Sequence, residues 1–309
     1  MQIKFSAENL VGREHELKLF EELLRFPDEA RLLTVSIKGA HGKSVLLKKM
    51  QLDCTNQHSI PVALVDLKED DKPTPFAVVR KIIEDIEEGF PLVEFRNFNE
   101  LNHRRMDKDP ASFRRGASPG PARMQGVLYG PSGVSGSNNV FAGVGVGNVN
   151  TMIVNPVEWT ADLEAEAQKQ CITAFYRDLK EVCQETPLVL LMDSWDGCRN
   201  EEVRKWVHTF LRQSCFDLNN RPDRLVFVLA GRPDDFPNFK SLYGEKYERV
   251  VRPVERFEEW GNDQLRDFLR VNGLDGLDAG DIATINSTRK NKEWDLLVTI
   301  DRVQGFFGN

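Results

Sequence analysis

Gly42-Lys43-Ser44 lies between the apolar run Leu32-Leu33-Thr34-Val35-Ser36-Ile37 and the helical pattern that begins Val45-Leu46-Leu47. A glycine turn bearing a lysine and a hydroxyl therefore joins a strand to a helix. This combination suits a phosphate: glycines let backbone N–H groups turn inward, the lysine reaches the β/γ-phosphates, and the hydroxyl ligates Mg²⁺. A helix starting near Lys43 adds its positive dipole end. The usual P-loop spacing puts a first glycine five positions before the Gly-Lys pair, where this chain has Ile37; counted from Gly39, the loop is two residues short.

Asp193 closes the fully apolar run Pro187-Leu188-Val189-Leu190-Leu191-Met192. A carboxylate at the end of a buried strand is costly without a partner, and a Mg²⁺ shared with the Ser44 hydroxyl would supply one. The alternative is an acid that belongs to the turn and cap of the next helix, together with Asp196 or Asn200. Arg232 ends the next apolar run, Leu225 to Gly231, and so could emerge on the same sheet edge to contact a γ-phosphate; otherwise it is a turn residue before Pro233. Ligands of open α/β sheets bind beyond the carboxyl ends of strands, where Gly39, Asp193 and Arg232 would all lie.

The elements that must position these residues alternate along the chain. Glu14 to Arg25 has Leu17, Phe20, Leu23 and Leu24 at helical spacing, ending before Pro27. Pro61 to Leu67 reads as a second buried strand, and Thr74-Pro75 as the cap and first turn of a helix carrying Phe76, Val79, Ile82, Ile83 and Ile86. Ala161 opens a long helix through Val182, Glu201 to Gln213 forms another, Tyr247 to Val251 reads as the last strand, and Asn262 to Gly273 as a capped helix, with helical character continuing beyond it. Apolar strands between helices predict an α/β fold, a parallel sheet covered on both faces.

Between about His103 and Pro156 the composition turns to Arg, Pro, Ser and Gly, from which a core is hard to build, so a mobile surface insertion is expected. Its arginines could meet an acidic partner, or Val140, Ala142, Val144 and Val146 could form an edge hairpin pairing with another subunit. The 309 residues carry a formal charge of −7, which leaves no electrostatic footprint for nonspecific nucleic-acid or membrane binding. Five cysteines without CxxC pairing fit reduced thiols. With no membrane-length apolar run and no signal-peptide core at the start, the expected location is the cytoplasm. His41 could touch a phosphate but reads first as a solvent-facing loop residue, Glu69-Asp70-Asp71 reads as a solvated turn rather than a metal site, and no order of residues suggests a hydrolytic triad.

Four segments in order carry a family resemblance. Val11-Gly12-Arg13-Glu14 resembles the VGRE box that opens the nucleotide-binding domain of AAA+-related and STAND ATPases, the signal-transducing group that includes NACHT proteins. Leu190-Leu191-Met192-Asp193-Ser194-Trp195-Asp196-Gly197 is similar to the STAND Walker B pattern, Leu229-Ala230-Gly231-Arg232-Pro233 to the sensor 1 strand, and Pro253-Val254-Glu255-Arg256-Phe257 to the entry of the helical lid. The resemblance covers about residues 8 to 272 apart from the insertion.

It implies a P-loop NTPase core over residues 1–255, with the insertion at 103–156, and a small partial helical lid over 256–309. Val11, Gly12 and Arg13 would line the adenine side, Gly39, Gly42, Lys43 and Ser44 the phosphates, Ser44 and Asp193 the Mg²⁺, and Arg232 the γ-phosphate. Asp196 would orient the attacking water. The chain departs from the pattern in its short loop, in Gly197 where a second acid is expected, and in lacking a Gly-Asn-Pro-Leu type lid segment or a winged helix. The leading expectation is an ATP/ADP-binding switch domain, a fragment or minimal version, with slow or absent Mg²⁺-dependent hydrolysis, protein partners and homo-oligomerisation on activation. The alternatives are a degenerate fold serving as an interaction scaffold and a DNA-associated AAA+-like ATPase, the latter opposed by the acidic charge.

Overall fold

The structure is a computed structural model that describes residues 10–25, 31–38, 42–68, 74–108, 158–217, 221–257, 261–271 and 278–292, with Ala7, Phe113 and Asn219, and side chains as far as Ser287. Gly39, His41, the Glu69-Asp70-Asp71 cluster and nearly all of the expected insertion, including its candidate hairpin, lie outside the described residues.

Among the described residues, five strands form one parallel sheet in the order β2-β3-β4-β1-β5: β1 (Leu32–Ser36), β2 (Val62–Asp66), β3 (Leu188–Asp193), β4 (Leu225–Gly231) and β5 (Val251–Val254). Because side chains alternate along a strand, each strand feeds two layers. In β3, Leu188, Leu190 and Met192 join a cluster with Val79, Ile82, Phe175 and Phe210, from α3 (Pro75–Gly89), α5 (Ala161–Glu185) and α6 (Glu201–Leu211). Val189 and Leu191 join the opposite cluster with Phe20, Leu23, Leu46, Leu47 and Met50, from α1 (Glu14–Arg25) and α2 (Lys43–Asp53). Every residue of β3 and β4 is buried, which explains their unbroken apolar sequences. Each buried Val, Leu, Phe or Met side chain there contributes roughly 1.5–3 kcal/mol on leaving water.

The turn from β1 into α2 carries Gly-Lys-Ser, β3 ends in Asp193, and β4 lies between those two strands. The architecture is a parallel-sheet P-loop core with helices on both faces. Helices α9 (Asn262–Val271) and α10 (Ala279–Lys292) follow β5 and pack on each other, with Asn286 donating to Asn262 Oδ1 at 2.8 Å. Among the described residues, no helix is long and apolar enough to cross a membrane.

Two regions depart from the sequence pattern. The segment expected as the last strand, Tyr247 to Val251, is mostly helical: it begins inside α8 (Glu245–Val250), which is separated from α7 (Phe239–Tyr243) by Gly244 with its φ of 54°. The strand starts only at Val251, and it admits Pro253 because, among the described residues, β5 pairs with β1 alone at the sheet edge. A further helix, α4 (Arg96–Met106), reaches into the stretch whose regularity was expected to fail from His103. It buries only Phe98 along its own length, and its start is held from afar: Asp178 of α5 accepts the Asn97 and Phe98 N–H groups at 3.3 and 2.8 Å. The cluster of carboxylate and first-turn N–H groups does the work of an N-cap.

Candidate nucleotide site

The Gly42-Lys43-Ser44 turn sits where β1 gives way to α2. Gly42 has φ 81°, in the left-handed region where glycine pays no steric penalty, and α2 begins at the next residue. The Lys43 ammonium bends back to donate to the Ile37 carbonyl at 2.8 Å and the Lys38 carbonyl at 3.2 Å. Burial lowers its pKa, while Asp196 and Asp193 oppose that shift. Both carboxylates therefore lie near enough to act on the lysine's charge.

Asp193 ends β3 with 6% exposure. Burial pushes its carboxyl above the ordinary range; the Ser44 hydroxyl and the Ser194 N–H, which donates at 2.7 Å, stabilise the charged form, and Asp66 opposes it. Asp66 is its register partner on β2. Sequence reading passed over Asp66, although it ends its apolar strand just as Asp193 does.

After Asp193 the chain turns sharply. Ser194 adopts a left-handed conformation with φ 58°, and Trp195–Gly197 form one 3₁₀ turn. Asp196 then meets Arg232 twice: Oδ1 accepts the Arg232 N–H at 3.1 Å, and Oδ2 lies 3.1 Å from Nε. Trp195 braces the same junction, its indole N–H donating to the Asp235 carbonyl at 2.8 Å. Arg204 stacks on the Trp195 ring at 5.2 Å and donates to the Cys198 carbonyl at 2.7 Å.

Gly197, the position where a second acid was expected, lies under the stem of Lys68. A Cβ there would come within 2.9 Å of both Lys68 Cβ and Cγ. Nothing in the sequence pattern pointed to Lys68, because the contact joins β2's end to β3's end across a strand pairing.

Lys43, Ser44, Asp193, Asp196 and Arg232 thus come together at the carboxyl edge of the sheet. Gly39 lies outside the described residues. Val11, Gly12 and Arg13 belong to a different set of contacts: the Gly12 N–H donates to Glu14 Oε1 at 3.1 Å, and the Arg13 guanidinium donates to the Gly12 carbonyl and lies 3.9 Å above the Phe257 ring. This cation–π contact ties the N-terminal box to the chain leaving β5.

The donor set at the edge fits a magnesium–polyphosphate. A buried carboxylate whose charge is disfavoured and a hydroxyl directed at it are hard oxygen donors, as Mg²⁺ requires. Among the described residues no three His, Cys, Asp or Glu side chains cluster to form an all-protein metal cage. A cation held by one or two protein oxygens and completed by phosphate oxygens and water is the usual Mg²⁺ arrangement.

No protein-family model and no curated protein matches the chain. Among solved structures, the crystal structure of Cdc6p from Pyrobaculum aerophilum is similar over 89% of this chain and 54% of that one, at 14% identity and a TM-score of 0.41. The chain spans about half the length of that protein. The fold assignment rests on the sheet itself, its strand order and the helices on both of its faces.

Proposed function

We propose that the chain is the ATP-binding switch domain of a STAND-like signalling ATPase, with Mg²⁺-dependent hydrolysis slow or absent. The observation that carries this reading is the meeting of Ser44 with Asp193 beside Lys43, at the carboxyl edge of a parallel sheet. Lys43, in the first turn of α2, would exchange the Ile37 and Lys38 carbonyls for phosphate oxygens, aided by the α2 N-terminus. Ser44 and Asp193 would hold Mg²⁺, which when bound neutralises phosphate charge. Arg232 would contact the γ-phosphate, and Val11, Gly12 and Arg13 the adenine side.

Slow turnover is supported by the position after Asp196, where Gly197 lies too close to the Lys68 stem to be replaced by a second acid. A site that binds a triphosphate and hydrolyses it poorly suits a switch whose bound state controls protein partners and self-association. The contact of Arg13 with Phe257 offers a route from the nucleotide to the helices after β5.

Calorimetric titration with ATP and ADP, with and without Mg²⁺, beside Lys43→Ala tests the reading. Mg²⁺-sensitive binding lost in Lys43→Ala is expected. Absence of binding by well-folded wild-type protein would overturn it in favour of an interaction scaffold.

A further inference from the structure

We propose that Asp196 is a positioning residue that parks Arg232, so that a nucleoside triphosphate must draw the guanidinium away from it while a diphosphate leaves the pair intact. The proposal rests on the nucleotide-binding reading above and assigns the site its discrimination between ATP and ADP.

The geometry of the pair is the first support. Asp196 grips Arg232 at two points: at the backbone N–H, which fixes where the residue starts, and at Nε, which fixes where its side chain runs. A residue that merely neighbours an arginine on the surface need not hold its main chain as well.

The mounting is the second. The turn after β3 and the turn after β4 are fastened to each other by the Trp195–Asp235 hydrogen bond. Gly231, immediately before Arg232, lies so close to Trp195 that a Cβ on it would stand 2.9 Å from the tryptophan Cβ. The backbones on either side of the pair are thus locked, and motion is left to the arginine side chain, which is 59% exposed against 19% for Asp196. The carboxylate is the fixed member and the guanidinium the movable one.

Chemistry supplies the direction. A terminal phosphate presents several charged oxygens to a guanidinium and forms stronger bonds than a partly exposed carboxylate does. Losing the γ-phosphate returns Arg232 to Asp196.

The test titrates Asp196→Asn, which retains an acceptor for the Arg232 N–H but lacks the charge, with Mg-ATP and Mg-ADP. ATP should bind about two- to fivefold more tightly than to wild type, the scale of a partly exposed ion pair, with ADP affinity unchanged. The gain should vanish when both proteins also carry Arg232→Ala. If the Asn variant melts early, Asp196→Ala, which also removes the charge, must give the same gain in ATP over ADP affinity. An unchanged ATP/ADP ratio in a variant with wild-type melting temperature overturns the proposal. A loss of turnover with both affinities unchanged also overturns it, assigning Asp196 to the attacking water instead. Failure of wild-type protein to bind either nucleotide sinks the underlying site, an outcome distinct from the other two.

Discussion

Asp66 and Asp193 face each other as register partners at the carboxyl ends of β2 and β3, so two acids share the sheet edge at which Ser44 and Lys43 arrive. Burial makes the charge on Asp193 unfavourable, and Asp66 adds to that. Burial thus holds the Asp193 carboxyl above the ordinary range against the stabilising Ser44 hydroxyl and Ser194 N–H, and perturbed carboxyls of this kind gather at functional sites.

Asp193→Asn should therefore stabilise the nucleotide-free protein. An acid whose folded-state pKa is raised binds its proton more tightly in the folded chain, so its contribution is fully present below the ordinary aspartate range and lost as pH rises through the folded-state pKa. Wild type should melt below the variant at neutral pH, and the gap should close toward about pH 4, near the unperturbed aspartate value. Mg-ATP should raise the wild-type melting temperature and leave the variant nearly unmoved. Thermal denaturation across pH, with and without Mg-ATP, reads both effects; a gap independent of pH would remove Asp193's burial as its cause.

Lys43→Ala should spare the fold, because the ammonium's hydrogen bonds go to the Ile37 and Lys38 carbonyls at the partly exposed turn rather than into the core. Loss of a charge-assisted hydrogen bond to phosphate costs about 1.5–3 kcal/mol, so ATP affinity should fall roughly ten- to a hundredfold. Equal melting curves beside that loss would separate binding from folding. Unchanged affinity would remove the lysine from the site.

Gly197→Ala should destabilise the protein by about 1–3 kcal/mol through overpacking. The backbone at Gly197 is not left-handed, so the cost comes from the new methyl meeting the Lys68 stem at 2.9 Å. Because Lys68 Cβ is among the atoms met, truncation to alanine would not relieve the contact. Lys68→Gly in the same chain should recover most of the loss in urea denaturation, and a double variant no more stable than Gly197→Ala would show that the clash lies elsewhere.

What the chain disclosed in advance follows from where its structure is local. β1, β3 and β4 are buried on both faces, so each appears as an apolar run, and the turn at Gly42 and the acid Asp193 were visible at their ends. α4 was not legible: it buries one of its own residues, and its N-terminal N–H groups are satisfied by Asp178, about 80 positions away. β5 was misplaced because Val250 and Val251 look alike in sequence, whereas α8, which starts after Gly244, runs to Val250 and pairing with β1 begins at Val251. At the site, residue types with known phosphate chemistry could be read directly. Pairings across strands, Asp66 with Asp193 and Lys68 over Gly197, could not, because only the sheet brings them together.

The cysteines supply a check on the core independent of the site. Cys54, Cys171, Cys183, Cys198 and Cys215 are all buried, and none is paired. Burial pushes the thiols up, to about 12 for Cys54, Cys183 and Cys215 and about 11 for Cys171, with Cys198 raised as well. Since the thiolate is the reactive form, none of the five should react with Ellman's reagent near pH 8 while the protein is folded. All five should react on unfolding in guanidinium chloride. Cys54 lies against α2 in one core layer, while the other four lie in the opposite layer. Mapping any early reaction by peptide mass would show which layer opens first. Immediate reaction of all five in native buffer would contradict the two-layer packing around the sheet.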